Sequence, residues 1–267
     1  MRTLALALLL AACGAEPAPQ QKMWEWDRAL SVPDTAFMAG MTAGEIAAAQ
    51  RAGARYVLLP IGGLEQNGPH VVTAKHDLII EAVAARVAEA RGDILIAETV
   101  HFSPQGDLNR PSPHQMAPGT LGVSEATYEA LLTDICRSLA ISGFERIFLI
   151  ADSGPAQRGA ATVAERLAGV EFIAAYYSED PEGARAVAAL GIEQAPYGAI
   201  HSDYRTEAML AALDPNLIRH AARLEIGEAS VRGASVADLE TLRVHGETLL
   251  KARAALVSRE IDRPTPQ

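Results

Sequence analysis

Arg55-Tyr56-Val57-Leu58-Leu59-Pro60-Ile61-Gly62-Gly63 is an apolar run of strand length that closes on two glycines. It does not alternate apolar with polar. A strand projects successive side chains to opposite faces, so a run of this kind needs cover on both sides, as in a parallel sheet held between helices. Upstream, Thr42-Ala43-Gly44-Glu45 has the spacing of a capping box and predicts a helix through about Arg51. Downstream, residues 77–91 carry Leu78, Ile79, Val83, Val87 and Ala90 at a helical period, and Ile94-Leu95-Ile96-Ala97 reads as the next strand. Ser124-Glu125-Ala126-Thr127 opens a helix to about Ser142, and residues 146–151 form another fully apolar strand. A helix near 159–168, a strand at 170–175 and a helix near 206–213 follow, and residues 234–261 read as one long amphipathic helix ending near Pro264. Strands alternating with helices predict an α/β fold: a three-layer α/β/α domain with a mostly parallel sheet. Residues 103–122 break the pattern with a Pro/Gly/Ser-rich stretch lacking periodicity, and so long a loop inside a compact domain usually serves function.

The 267 residues suffice for one such domain, and no internal repeat or clean split divides them. Apolar residues make up 49% of the chain but aromatics only 5%, so the core must rest on close packing of small side chains. A formal net charge of -10 argues against a nucleic-acid backbone or an anionic membrane surface as the partner and favours a small-molecule substrate.

The N-terminus has its own pattern. Arg2 is followed by the apolar run of residues 4–12, too short to span a bilayer, and Leu10-Ala11-Ala12-Cys13 has the form of a lipobox. Residues 1–12 are therefore expected to be a lipoprotein signal peptide, with Cys13 lipidated as the mature N-terminus. Residues 13–22 would be a Pro/Ala/Gln tether, and 23–267 the single domain. Gly14 after the cysteine favours the outer membrane, so the expected location is the periplasmic side, with the lipid as the only membrane contact. Cys136 then has no partner, and its helical surroundings predict a buried, inert thiol.

In sheets of this type ligands bind beyond the carboxyl ends of the strands. The segment after the first strand, Gly62 to Asp77, holds Glu65, Asn67, His70, Lys75, His76 and Asp77 between glycines. Acids, imidazoles and an ammonium concentrated there are a candidate site rather than an ordinary polar loop. Asp152-Ser153-Gly154 follows a later strand but lacks the glycines of a nucleophile elbow, since Ala151 and Pro155 stand where they belong. Asp203 and Glu207, at i and i+4, lack a matching acid elsewhere and make no glycosidase pair.

Ile61-Gly62-Gly63-Leu64-Glu65-Gln66-Asn67-Gly68-Pro69-His70 resembles the first motif of the creatininase (creatinine amidohydrolase) family, Gly-Ser/Gly-x-Glu-Gln-His-Gly-Pro-His. Supporting likenesses are Pro118-Gly119-Thr120-Leu121 preceded by His114, residues 143–154, and Ile200-His201 with the stretch from Thr206 to Pro215. Order and spacing agree from about Thr42 to Asp214. The resemblance implies a creatininase-like fold, hydrolysis of a C–N bond in a small cyclic amide or related amide, and a homo-oligomer. It also implies two divalent ions on five ligands. Placed on this chain, those ligands fall on Glu65, Asn67, His76 (with Asp77 beside it), Ser153 (after Asp152) and Pro155, so the usual pair of ions is not available. This chain resembles a divergent branch with such changes.

Two readings then compete. In one, Glu65, His76 and Asp152 hold a single Zn²⁺, Mn²⁺ or Fe²⁺. His201 shuttles a proton to the leaving nitrogen with Asp203 or Glu207 orienting it, and His70, Asn67, Lys75, His114 and Ser153 line the substrate pocket. Lys75 would neutralise a substrate carboxylate or replace the charge of a lost ion. In the other, the chain is a catalytically inactive periplasmic small-molecule-binding lipoprotein of the same fold.

Overall fold

The computed structural model describes residues 34–178, 185, 188–195 and 201–263; the expected leader, Cys13 and the tether lie outside the described residues. Among the described residues four parallel strands form the sheet: β1 (Tyr56–Ile61), β2 (Ile94–Ile96), β3 (Arg146–Ala151) and β4 (Val170–Phe172), in the order β2-β1-β3-β4. The apolar run from Arg55 to Gly63 supplies an inner strand of the sheet, with Tyr56 opposite both Ile94 and Arg146. Its side chains divide as the lack of alternation requires. Leu58, with Phe148 and Ile150 of β3, enters one core, whereas Val57, Leu59 and Ile61, with Ile147 and Leu149, enter the other.

Three helices cover the second core: α1 (Ala43–Arg51), α4 (Glu125–Ile141) and α5 (Ala156–Arg166). The first core lies under α2 (Lys75–Arg91), α7 (Tyr204–Leu213) and α9 (Leu239–Ile261). Shorter helices are α3 (Pro113–Met116), α6 (Ala175–Ser178) and α8 (His220–Glu225). The domain is thus the expected three-layer α/β/α arrangement. Thr42 and Glu45 close the capping box at the start of α1, and the hydroxyl of Ser124 accepts from Thr127 N–H at the start of α4. Gly246 lets α9 cross α7 closely, since a Cβ there would lie 1.9 Å from the Ala208 carbonyl oxygen. The Cys136 thiol is buried, and burial pushes its pKa up to about 11.

Several boundaries differ from the sequence reading. Residues 234–261 are not one helix: β5 (Ser230–Val231) and β6 (Ala234–Ser235) make a small hairpin first, turning through Arg232 and Gly233 at positive φ. Asp238 then caps α9 by accepting from Glu240 and Thr241 N–H. The fourth strand stops at Phe172 because Ala175 already starts a helix, and α5 begins at Ala156, three residues before the expected start. The long loop holds one helical turn, α3, capped by Ser112. Most consequential is α2, which starts at Lys75 and so places Lys75 and His76 in its first turn.

Candidate active site

The carboxyl ends of β1 and β3 and the first turn of α2 meet at one cavity of about 310 Å³, lined by Glu65, Lys75, His76, His114, Ser153 and His201 among others. That volume is at the lower end for small-molecule pockets. Glu65 is the hub. It follows the glycine pair Gly62-Gly63, which packs so tightly that a Cβ on Gly62 would lie 1.9 Å from Asp77 Oδ1. Asp77 accepts from Gly63 N–H at 2.8 Å and from His101 Nδ1 at 3.0 Å, so this acid braces the loop and does not enter the cavity lining.

The two oxygens of Glu65 meet different partners. Oε1 receives Lys75 Nζ at 2.9 Å and His76 Nε2 at 2.9 Å. Oε2 faces His114 Nε2 at 3.2 Å and His201 Nδ1 at 3.8 Å. Burial alone would raise the Glu65 pKa, but the His76 hydrogen bond and the Lys75 charge outweigh it and bring the value to about 2. The carboxylate is therefore ionised at every physiological pH.

The structure brings the expected ion ligands Glu65, His76 and Asp152 together, but as a hydrogen-bonded chain. His76 donates from Nε2 to Glu65 and from Nδ1 to Asp152 Oδ2 at 2.7 Å. Ionised carboxylates accept only, so both ring nitrogens carry hydrogen and neither offers a lone pair. Burial opposes that charge, yet the bonds to Asp152 and Glu65 raise the His76 pKa. Asp152 is engaged in turn: its Oδ1 accepts from the Tyr176 hydroxyl at 2.8 Å and from Arg253 at 2.7 Å. Arg253, in α9, and Tyr176 were not singled out from the sequence. Nothing local marks Arg253, whereas the pair Tyr176-Tyr177, just beyond a strand in an aromatic-poor chain, was a usable signal; Tyr177 also lines the cavity.

His114 and His201 complete the other side. Their rings stack with centroids 4.0 Å apart at 19°. Gln66 fixes His114: its Oε1 accepts from Gly68 N–H, so its Nε2 donates to His114 Nδ1 at 3.2 Å. The hydrogen of the neutral ring then sits on Nε2, toward Glu65. Thr120 holds the same turn by accepting from Gln66 N–H and donating to the His114 carbonyl, each at 3.0 Å. The Pro118-Gly119-Thr120-Leu121 loop is thus a brace for His114.

The remaining expected residues fall as follows. Ser153 lines the cavity with a buried Oγ that has no hydrogen-bond partner among the described residues. Asn67 is buried and donates to the carbonyls of Glu65 and Val72, bracing the loop from beneath the cavity. His70 is half-buried and is not among the lining residues. Asp203 caps α7, accepting from Thr206 N–H at 2.8 Å. Glu207, expected to orient His201, instead accepts from Ser202 and pairs with Arg223. Burial leaves its pKa raised despite that partner.

A group of three side chains whose ligand-type atoms all lie within 4.8 Å of one another is Glu65, His114 and His201. Ligand atoms sharing one divalent ion at about 2.0–2.2 Å stand roughly 3–4 Å apart, and the spacings of 3.2 and 3.8 Å from Glu65 Oε2 fit one ion. Where the resemblance puts further ligands, Asn67, Ser153 and Pro155 supply neither carboxylate nor imidazole.

Known proteins agree with this fold. The family model for creatininase, creatinine amidohydrolase, matches residues 39–254, and the chain belongs to that family. Over 113 residues the chain is 32% identical to the mycofactocin precursor peptide peptidase of Mycolicibacterium smegmatis (strain ATCC 700084 / mc(2)155), covering 40% of this chain and 43% of that protein. It is 32% identical over 114 residues to creatinine amidohydrolase of Pseudomonas putida, 43% of each. The matches thus span under half the length of these curated relatives. A crystal structure of creatinine amidohydrolase superposes with a TM-score of 0.65 at 20% identity, covering 87% of this chain and 100% of that one. The manganese form of creatininase gives 0.64 at 21%, covering 85% and 97%.

Proposed function

We propose that this chain is an amidohydrolase that cleaves a C–N bond in a small cyclic amide or related amide, with one divalent ion held by Glu65, His114 and His201. The observation that carries the reading is the divided Glu65 carboxylate, one oxygen turned to two protein cations and the other to two imidazoles. Family membership supports the reaction class, and the manganese form of a structural relative supports a divalent ion. Zn²⁺, Mn²⁺ and Fe²⁺ all suit one carboxylate and two imidazoles.

A divalent ion bound there polarises an amide carbonyl and brings a water molecule's pKa toward neutrality. The protein's side chains do the rest. Gln66 and Thr120 hold the His114 ring in place with Nε2 toward Glu65, where His114 would help hold the ion. Asp152, anchored by Arg253 and Tyr176, orients His76. This histidine holds a proton at Nε2 on the cavity wall, where a departing amine nitrogen would take it. The proton-shuttle role expected of His201 is therefore reassigned to His76. Ser153 Oγ is a ready hydrogen-bond partner for a polar substrate. Export through the leader and lipidation at Cys13 belong to the same proposal, as does self-association, and no helix of the described residues is long and apolar enough to cross a membrane.

The test is turnover of creatinine and a panel of five- and six-membered lactams and cyclic ureides by protein loaded with Mn²⁺ or Zn²⁺. The expected result is hydrolysis of at least one, lost by about 100-fold or more in Glu65→Gln. Tight binding of a panel member with no turnover would assign the fold to the binding role instead.

A further inference from the structure

Lys75 is buried, with only 5% of its surface exposed, and stands in the first turn of α2 beside His76. A helix N-terminus disfavours positive charge, and a buried ammonium is costly without partners. Two adjacent cations in that turn persist only because fixed anions receive them. The ammonium is 2.9 Å from Glu65 Oε1 and also donates to the backbone carbonyl of His201. One lysine thus touches the carboxylate and the chain segment bearing one of the imidazoles.

We infer that Lys75 is a built-in cation that restricts this centre to one divalent ion and weakens its hold on that ion. The inference rests on the proposed ion position at Glu65, His114 and His201. Oε1 is taken by Lys75 and His76, leaving Oε2 to face His114 and His201. Among the described residues, the Lys75 side offers no further carboxylate or imidazole free to hold a second ion. Both Asp152 oxygens are engaged by His76, Tyr176 and Arg253, and Asn67, whose NH₂ goes to two backbone carbonyls, offers only a neutral amide oxygen. A divalent ion bound at Oε2 shares its carboxylate with a fixed unit charge. Repulsion at that range, even with generous screening, is worth tenfold or more in affinity.

The experiment is calorimetric titration with Mn²⁺ of the metal-stripped protein, of Lys75→Gln and of Lys75→Arg, with ion content counted by mass spectrometry. The wild type should bind one equivalent, Lys75→Gln should bind at least about tenfold more tightly, and Lys75→Arg should stay within about threefold of wild type. Lys75→Met supplies the same loss of charge if Lys75→Gln does not fold. Two equivalents on the wild type, or equal or weaker binding by the neutral variants, overturns the inference, the latter because it marks Lys75 as a mere brace. No ion on the wild type but one on Lys75→Gln upholds the inference and sinks the native ion of the proposed function. No ion on either sinks both.

Discussion

Asp152→Asn is the substitution that most sharply separates a positioning chain from a set of ion ligands. Asp152 is 6% exposed and accepts from His76, Tyr176 and Arg253 at 2.7, 2.8 and 2.7 Å. Asparagine keeps the shape but offers one acceptor and an NH₂, which must face a donor on either His76 or Arg253. Breaking a buried pair by removing one partner costs about 3–5 kcal/mol. Arg253 is 23% exposed at its side chain, so water recovers part of its share and the lower end applies. The expected loss is about 3 kcal/mol, or roughly 6–12 °C in Tm for a domain of this size. Urea unfolding of Asp152→Asn, Arg253→Met and the double variant, all without added metal, gives the coupling directly, expected at about 1–3 kcal/mol. Destabilisation below about 1 kcal/mol, or strict additivity, would refute the claim that this carboxylate is already committed to protein donors.

Three further outcomes are expected. Stability should depend on pH in two opposed limbs. Glu65 has a folded pKa of about 2, below its ordinary 4.5, so its contribution is present above 4.5 and lost as pH falls toward 2, about 3 kcal/mol in all. His76 has a folded pKa above its ordinary 6.5, so its contribution is complete below 6.5 and is lost as pH rises through the folded value. Urea midpoints across pH should therefore be highest between about 4.5 and 6.5 and fall on both sides, with the acid limb shallower in Glu65→Gln; a profile that keeps rising into alkaline pH contradicts this. Gly246→Ala should destabilise by about 3 kcal/mol or more, read by thermal melting, because the new methyl would meet the Ala208 carbonyl at 1.9 Å and backbone has little room to yield. An unchanged melt would mean that α7 and α9 slide apart freely. His76→Gln should lower kcat by about 100-fold with KM little changed, since it removes a proton carrier and not a substrate contact; a KM-only effect would move the proton role elsewhere.

Much of the fold could be read from residues 55–63, because a strand buried on both faces loses its polar alternation and that loss is itself visible. The capping box at Thr42 and the strand–helix alternation did the rest. The β5–β6 hairpin was not legible, since two-residue strands carry no periodicity and Arg232 at positive φ gives no turn signal. In the site, the loop Glu65–Asp77 announced itself by its concentration of acids and imidazoles after a strand. What each imidazole does was not readable, because a histidine's role depends on which atoms face its two nitrogens. His76 lies between two carboxylates and His114 between Gln66 and Glu65, contacts made across 11 to 76 residues of chain. Arg253 is the extreme case: it reaches Asp152 from 101 residues away on a helix whose sequence reads as scaffold.

The central claim is that a single divalent ion belongs on Glu65 Oε2 between His114 and His201, with His76 and Asp152 kept for proton handling and support. An anomalous difference map at the zinc edge, from crystals grown with one equivalent of Zn²⁺, tests it directly. One peak touching Glu65, His114 and His201 is the predicted result. A peak against His76 and Asp152, a second peak beside Lys75, or no peak at this cluster would contradict it.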